Sequence, residues 1–275
     1  MDNPVSFERR GHIGIVTIDS PPVNALGHAV RVGLVAALEE ALRDPQVEAI
    51  VLNSAGRIFT AGADIREFGK ASQAPTLPEV IAAFDRSPKP IVAALHGTAF
   101  GGGLELSMGC HYRVALAGTR IGLPEVKLGL LPGAGGTQRL PRLTGVERAL
   151  DMIVTGNPVE AEDALGLGVV DAVYPRGTAL DAALDFIEKT GMGKLTAAPV
   201  SSRTDRIAGT DPAVFAAARA KLAKEKPNLF SPQRCVDAVE AAVQRPFAEG
   251  LAREHAGRCQ AGRASGRSCL CAPHL

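Results

Sequence analysis

The sequence lacks a strong charge of either sign, an uninterrupted apolar run and a regular cysteine framework. Formal net charge is only +1 at pH 7, so no basic field marks a nucleic-acid surface. The most apolar stretch, residues 91–109, is broken by His96, Glu105 and several glycines, so no membrane span is expected. The opening MDNPVSFERRGHIGIV has no basic run leading into an apolar segment, so no secretory signal is expected and a cytoplasmic setting is. The five cysteines are odd in number, and Cys259, Cys269 and Cys271 crowd the last seventeen residues. Free thiols are therefore expected rather than disulfides. Cys269-Leu270-Cys271 has no matching second pair, and no H-E-x-x-H spacing occurs, so no metal site is expected. Dinucleotide and P-loop signatures are also missing. Leu106-Ser107-Met108-Gly109 resembles half of a nucleophile elbow, but Glu105 stands where its first glycine belongs. His96 and His111 read as packing or solvated residues, and Cys110 as a small buried hydrophobe.

What is present fits a soluble globular chain of 275 residues, 46% hydrophobic and 21% charged. Residues 5–9 and 13–18 read as two strands joined by Arg10-Gly11-His12. Val30, Leu34, Leu38 and Leu42 recur every four residues and predict a helix over 29–43, ended by Asp44-Pro45. Short apolar runs at 49–52, 91–95, 112–116 and 169–173 predict further strands alternating with helices, an α/β pattern. Beyond Pro199 only helices are expected, over 212–226, 232–244 and 247–254. The expected organisation is an α/β core at 1–199 and a helical segment at 200–254. The tail at 255–275 has no apolar period and many Gly, Arg, Ser and Cys residues, so disorder is expected there.

The richest segment for chemistry is Gly101-Gly102-Gly103-Leu104-Glu105, between a predicted strand and a predicted helix. Without Cβ atoms a ligand can approach the main chain, and the first turn of a helix favours a negative oxygen. The Gly102 N–H is placed to serve a developing oxyanion. A second turn, Ala61-Gly62-Ala63-Asp64-Ile65, could supply the Ala63 N–H as its pair. Glu125, in Leu123-Pro124-Glu125-Val126, stands in apolar company that raises a carboxyl pKa. Each piece also has a plainer reading: a packing turn, an ordinary loop, a solvated loop glutamate at 125, and at 105 a glutamate favoured by the helix dipole.

Together the pieces resemble the crotonase (enoyl-CoA hydratase/isomerase) superfamily. The resemblance is carried by Gly101-Gly102-Gly103-Leu104-Glu105-Leu106, by Pro124-Glu125 with Leu128-Gly129, and by Pro132-Gly133-Ala134-Gly135-Gly136-Thr137-Gln138. Ala61–Ile65 and Val23-Asn24-Ala25-Leu26 add to it, and the likeness covers residues 7–174. Gly109-Cys110-His111-Tyr112-Arg113 looks most like the hydratase half of multifunctional β-oxidation proteins. The resemblance implies a spiral of ββα repeats with a C-terminal helical segment. It implies an enoyl-CoA hydratase of fatty-acid β-oxidation, acting on trans-2-enoyl-CoA. Glu125 would deliver the α-proton and Glu105 would activate water, or the reverse; Ala63 and Gly102 would hold the thioester oxygen. Gly133 would line the water pocket, and Val23, Ala25, Ala61, Ala63, Asp64 and Ile65 would contact coenzyme A. No metal or redox cofactor is implied, and trimers or hexamers are the implied assemblies. A Δ3,Δ2-enoyl-CoA isomerase and a weakly active thioester-binding remnant are the alternatives. The likeness to the connecting helix of the multifunctional proteins ends at His255, which suggests a frameshifted or otherwise non-native reading beyond Glu254.

Overall fold

The computed structural model describes residues 3–67 and 69–264, with side chains to 261. Its strands are β1 (Val5–Arg10), β2 (Ile13–Ile18), β3 (Ala49–Ser54), β4 (Ile91–Leu95), β5 (Thr98–Phe100), β6 (Tyr112–Leu116), β7 (Arg120–Gly122), β8 (Val159–Glu160) and β9 (Ala172–Tyr174). Its helices are α1 (His28–Arg43), α2 (Leu77–Asp85), α3 (Gly102–Met108), α4 (Gly136–Thr144), α5 (Val146–Thr155), α6 (Ala161–Leu167), α7 (Ala179–Thr190), α8 (Ala213–Glu225), α9 (Phe230–Gln244) and α10 (Phe247–Ala264).

A six-stranded sheet runs in the order β1-β2-β3-β4-β6-β9. The β1–β2 hairpin is antiparallel, with Phe7 opposite Val16, and every later pairing in this sheet is parallel. Parallel strands buried on both faces read as unbroken apolar runs, and β3 and β4 do. Ile50, Leu52, Ile91, Ala93 and Leu95 join the main core with α1, α2 and α3. Their alternating neighbours Ala49, Val51, Val92 and Ala94 pack on Ala182, Ala183 and Ile187 of α7. The strands of a second sheet, β5-β7-β8, are interleaved along the chain with those of the first, and β5 is joined by a parallel bridge from Thr60 to Ala99. The mixed α/β architecture with C-terminal helices is the one the sequence implies.

Helices α9 and α10 pack on each other, α9 on α4 and α5, and α10 on α4. Cys235, Val236, Ala238 and Val239 form the buried stripe of α9. Helix α10 corrects the expectation of disorder directly after Glu254: it continues through Ala264, ten residues further. Ala, Arg and Gln in this stretch are good helix formers, and Ala261 is fully buried. At Gly257 a Cβ would lie only 3.1 Å from Leu131 Cδ2. Tertiary packing rather than an apolar period holds this end, so the periodicity gave no sign of it. The rest of the expected tail lies outside the described residues. Cys110 and Cys235 are free, and Cys110 is buried, as expected; Cys235 is buried too, but Cys259 is disulfide-bonded.

Candidate active site

Two strand ends build the floor of the site. The Thr60–Ala99 bridge sets residues 60–63 beside residues 99–102. Thr60 N donates to Thr98 O (3.2 Å), and Phe100 N donates back to Thr60 O (3.3 Å). Gly101 then turns with φ +52° and ψ −126°, a region that L side chains avoid. Helix α3 starts one residue later. The consequence is that Ala63 N and Gly102 N come together: a Cβ on Gly102 would sit 3.2 Å from Ala63 N. Among the described residues neither amide donates to a protein acceptor. Gly102 N is an orphan of the α3 first turn. Gly62 N, one residue before Ala63, is taken by Thr60 Oγ1 at 3.0 Å.

Glu105, in the first turn of α3, is buried. Its Oε1 accepts from Ala134 N and Gly136 N, both at 2.8 Å. Burial pushes its carboxyl above the ordinary value, while these two amides, Arg258 and Arg139 pull it down. Glu125 arrives from the other strand end. Gly101 N donates to Gly122 O (2.9 Å), and a 3-10 turn at Pro124–Leu128 then folds the glutamate back over Gly101. A Cβ on Gly101 would lie 2.9 Å from Glu125 Oε1. Glu125 Oε2 is buried without a hydrogen-bond partner. Burial, then the charge of Glu105, push this carboxyl up to about 8.

A third carboxyl was not singled out in the sequence. Glu254, from α10, is 2% exposed. Its Oε1 accepts from Gly135 N (2.7 Å), and its Oε2 from Thr137 N (2.9 Å) and Thr137 Oγ1 (2.6 Å). Burial and the Glu105 charge raise it to about 7, against those hydrogen bonds. One turn further along α10, Arg258 Nη1 reaches toward Gly133 O at 3.4 Å.

The unused amides and the two sequence-predicted glutamates line one cavity of about 390 Å3. Ala63, Asp64, Gly102, Glu105, Glu125 and Gly133 all reach it. Gly133 is covered by Arg258, whose side chain occupies the place of a Cβ there. Val23, Ala25, Ala61 and Ile65 lie outside the lining. They sit on two loops tied by Ala61 N to Val23 O (3.0 Å) and Leu26 N to Gly62 O (2.9 Å), with Ile65 73% exposed. Asp64 points its carboxylate at Arg66, whose guanidinium lowers its pKa. Missed in the sequence were Arg31, Glu254, His255 and Arg258. Arg31 lies one position from Val30 on the buried stripe of α1, and a charge placed there was the available signal. It donates to Leu26 O (2.9 Å), Pro75 O (2.7 Å), Gln73 O (3.2 Å) and Glu67 Oε2 (2.7 Å), so it anchors the far wall of the cavity. Among the described residues no cluster of His, Cys, Asp and Glu is arranged to hold a metal ion.

Residues 8–225 match the family described as enoyl-CoA hydratase/isomerase. A peroxisomal bifunctional enzyme of Danio rerio is 45% identical over 248 residues, covering 88% of this chain and 33% of its own length. A probable enoyl-CoA hydratase of Bacillus subtilis is 42% identical over 178 residues, 61% of this chain and 68% of its own. The crystal structure of carnitinyl-CoA hydratase from Mycobacterium avium superposes with a TM-score of 0.63 at 32% identity, covering 90% of this chain and 94% of that one. The chain thus spans about a third of the length of its bifunctional relative. The paired strand ends and facing glutamates occur within a match running through most of the sequence, and the chain belongs to the enoyl-CoA hydratase/isomerase family.

Proposed function

We propose that the chain adds water to trans-2-enoyl-CoA to give 3-hydroxyacyl-CoA, as a step of fatty-acid β-oxidation. The observation that carries this reading is one cavity lined by Glu105, Glu125 and the unused Ala63 and Gly102 amides. The thioester carbonyl oxygen would sit between those amides, which hold the enolate charge formed as water adds at C3. A donor in that role is worth about 3 kcal/mol of barrier, roughly a hundredfold in rate or more.

The two carboxyl groups support different duties. Glu125, lifted to about 8, keeps its proton at neutral pH and is suited to protonate the α-carbon. Glu105 accepts two amide hydrogen bonds on one oxygen, which favours its ionised form and suits it to take a proton from water. The reaction needs no electron transfer, and coenzyme A enters as part of the substrate. Val23, Ala25, Ala61, Asp64 and Ile65 would meet the coenzyme along the paired loops outside the cavity. A second reading, Δ3,Δ2-enoyl-CoA isomerisation, is supported by the unpaired Oε2 of Glu125, which one-base proton shuttling can use. It is proposed as a side activity.

Disappearance of the conjugated enoyl absorbance of crotonyl-CoA tests the main reading. Wild-type chain should consume the substrate, with E105Q and E125Q each slowed by about 10²–10⁴-fold. Absence of hydration by the wild type, or near-normal turnover in both variants, defeats it. A homotrimer or hexamer is the assembly to be checked by light scattering. A cytoplasmic setting stays part of the proposal and competes with the peroxisomal name of the Danio rerio relative; fractionation of host cells decides it.

A further inference from the structure

We propose that Glu254 is a positioning residue: its carboxylate fixes the turn at 133–137, and thereby fixes Glu105, which hangs on alternate amides of the same turn. The kinetic part of this proposal rests on the hydratase reading; the geometric part does not.

Four consecutive amides open helix α4, and two acids from outside it divide them. Ala134 N and Gly136 N go to Glu105; Gly135 N and Thr137 N go to Glu254. Neighbouring amides of a tight turn cannot move independently, since each sits in a rigid peptide plane joined to the next only through one residue's φ and ψ, and Gly135 between them is held at φ +99°. Freeing the Glu254 pair therefore loosens the Glu105 pair. The turn has no other side-chain cap, and Glu254 takes the Thr137 hydroxyl as well. The charged groups that act on this carboxylate are Glu105 of α3 and Glu125, while Arg139 of α4, paired with Asp85 of α2, and Arg258 of α10 act on Glu105 at the same turn. Helix α9 adds Cys235, on which Glu254 acts. A negative neighbour raises a carboxyl pKa, so neutralising residue 254 lowers those of Glu105 and Glu125.

The test is E254Q, which keeps the shape, loses the charge and turns one acceptor into a donor facing a donor. Amide exchange should quicken about tenfold or more at Gly135 and Thr137, and equally at Ala134 and Gly136, which Glu254 does not touch. For crotonyl-CoA, kcat should fall about ten- to a hundredfold with KM near wild type. The kcat–pH profile should move toward lower pH, a change that a loss of packing alone does not produce. E254D, which keeps the charge, should leave the profile in place. Unchanged exchange at Ala134 and Gly136 overturns the proposal, as does an unmoved kcat and profile in an active enzyme. If the wild type does not hydrate crotonyl-CoA, the hydratase reading fails by itself and the exchange experiment still decides the clamp. If E254Q does not fold, T137V, which removes one of the three donors, takes its place: faster exchange at Ala134 and Gly136 supports the clamp and unchanged exchange refutes it.

Discussion

The ionisation of Glu125 makes the sharpest prediction, because one group governs rate and stability in separable ways. Its carboxyl stands at about 8, raised from 4.5 by burial and by Glu105. If its proton goes to the substrate, the active fraction is about 90% at pH 7 and about 10% at pH 9. Hydration of crotonyl-CoA should therefore fall about tenfold across those two units, on a limb centred near pH 8. The stability sign follows from linkage. The unfolded carboxyl loses its proton near 4.5 and the folded one only near 8, so the stability it contributes is full below 4.5 and drains away as pH rises to 8. In E125Q the side chain is neutral in both states and this slope disappears. The variant should thus be nearly inactive, yet its Tm should gain on the wild type between pH 5 and 9, by about 3 °C or more. Stopped-assay rates and thermal melts over that range measure both. A wild-type rate flat to pH 9.5, or a Tm difference that does not grow with pH, refutes the assignment of a raised, proton-donating Glu125.

Further predictions concern the walls of the cavity. G102A places a Cβ 2.7 Å from Leu77 Cδ2 and 3.2 Å from Ala63 N. The shifted amide should cost about tenfold to a hundredfold in kcat with unchanged circular dichroism, and wild-type kcat would count against the oxyanion role. R31M keeps bulk but frees three carbonyls and Glu67. Urea titration should show a loss of about 1–3 kcal/mol and kinetics a raised KM; unchanged values of both would show the anchor to be dispensable. R258M removes a positive charge that lowers both Glu105 and Glu125. Its pH–rate profile should move to higher pH, opposite to E254Q, and a shift in the same direction as E254Q would refute the charge account.

The legible parts of the chain were those whose local pattern and tertiary role agree. Helix α1 shows its four-residue apolar repeat, and β3 and β4 show unbroken apolar runs because both their faces are covered. Strands β5, β7 and β8 span two or three residues each, too few for any period, and their pairing is set by contacts such as Phe100 with Gly122. The run expected as a strand at 169–173 is displaced, with β9 at Ala172–Tyr174, because Val169 N closes the end of α6 on Ala164 O at 2.8 Å. Glu105 and Glu125 were visible through the glycine-rich turns around them. Glu254 was not, since it acts on Gly135 across a sequence separation of 119 residues, and nothing near it in the chain marks its target.

The same distance explains how the site is charged. A helix N-terminus offers roughly half a positive charge, enough to favour one nearby carboxylate and not two. The start of α4 receives both Glu105 and Glu254, with Glu125 beside them and all three pushed upward by burial. Of the two guanidinium groups that offset them, Arg139 is already paired with Asp85, which leaves Arg258 as the freer cation. With so little compensation the three acids are pushed toward protonation, and Glu125, raised to about 8 and with no hydrogen bond to its Oε2, is the cheapest place to keep a proton. A proton stored there is what hydration requires. Burial is the main cause of both upward shifts, and helix α10 trims them: Arg258 lowers Glu105 and Glu125, while Glu254 raises Glu125.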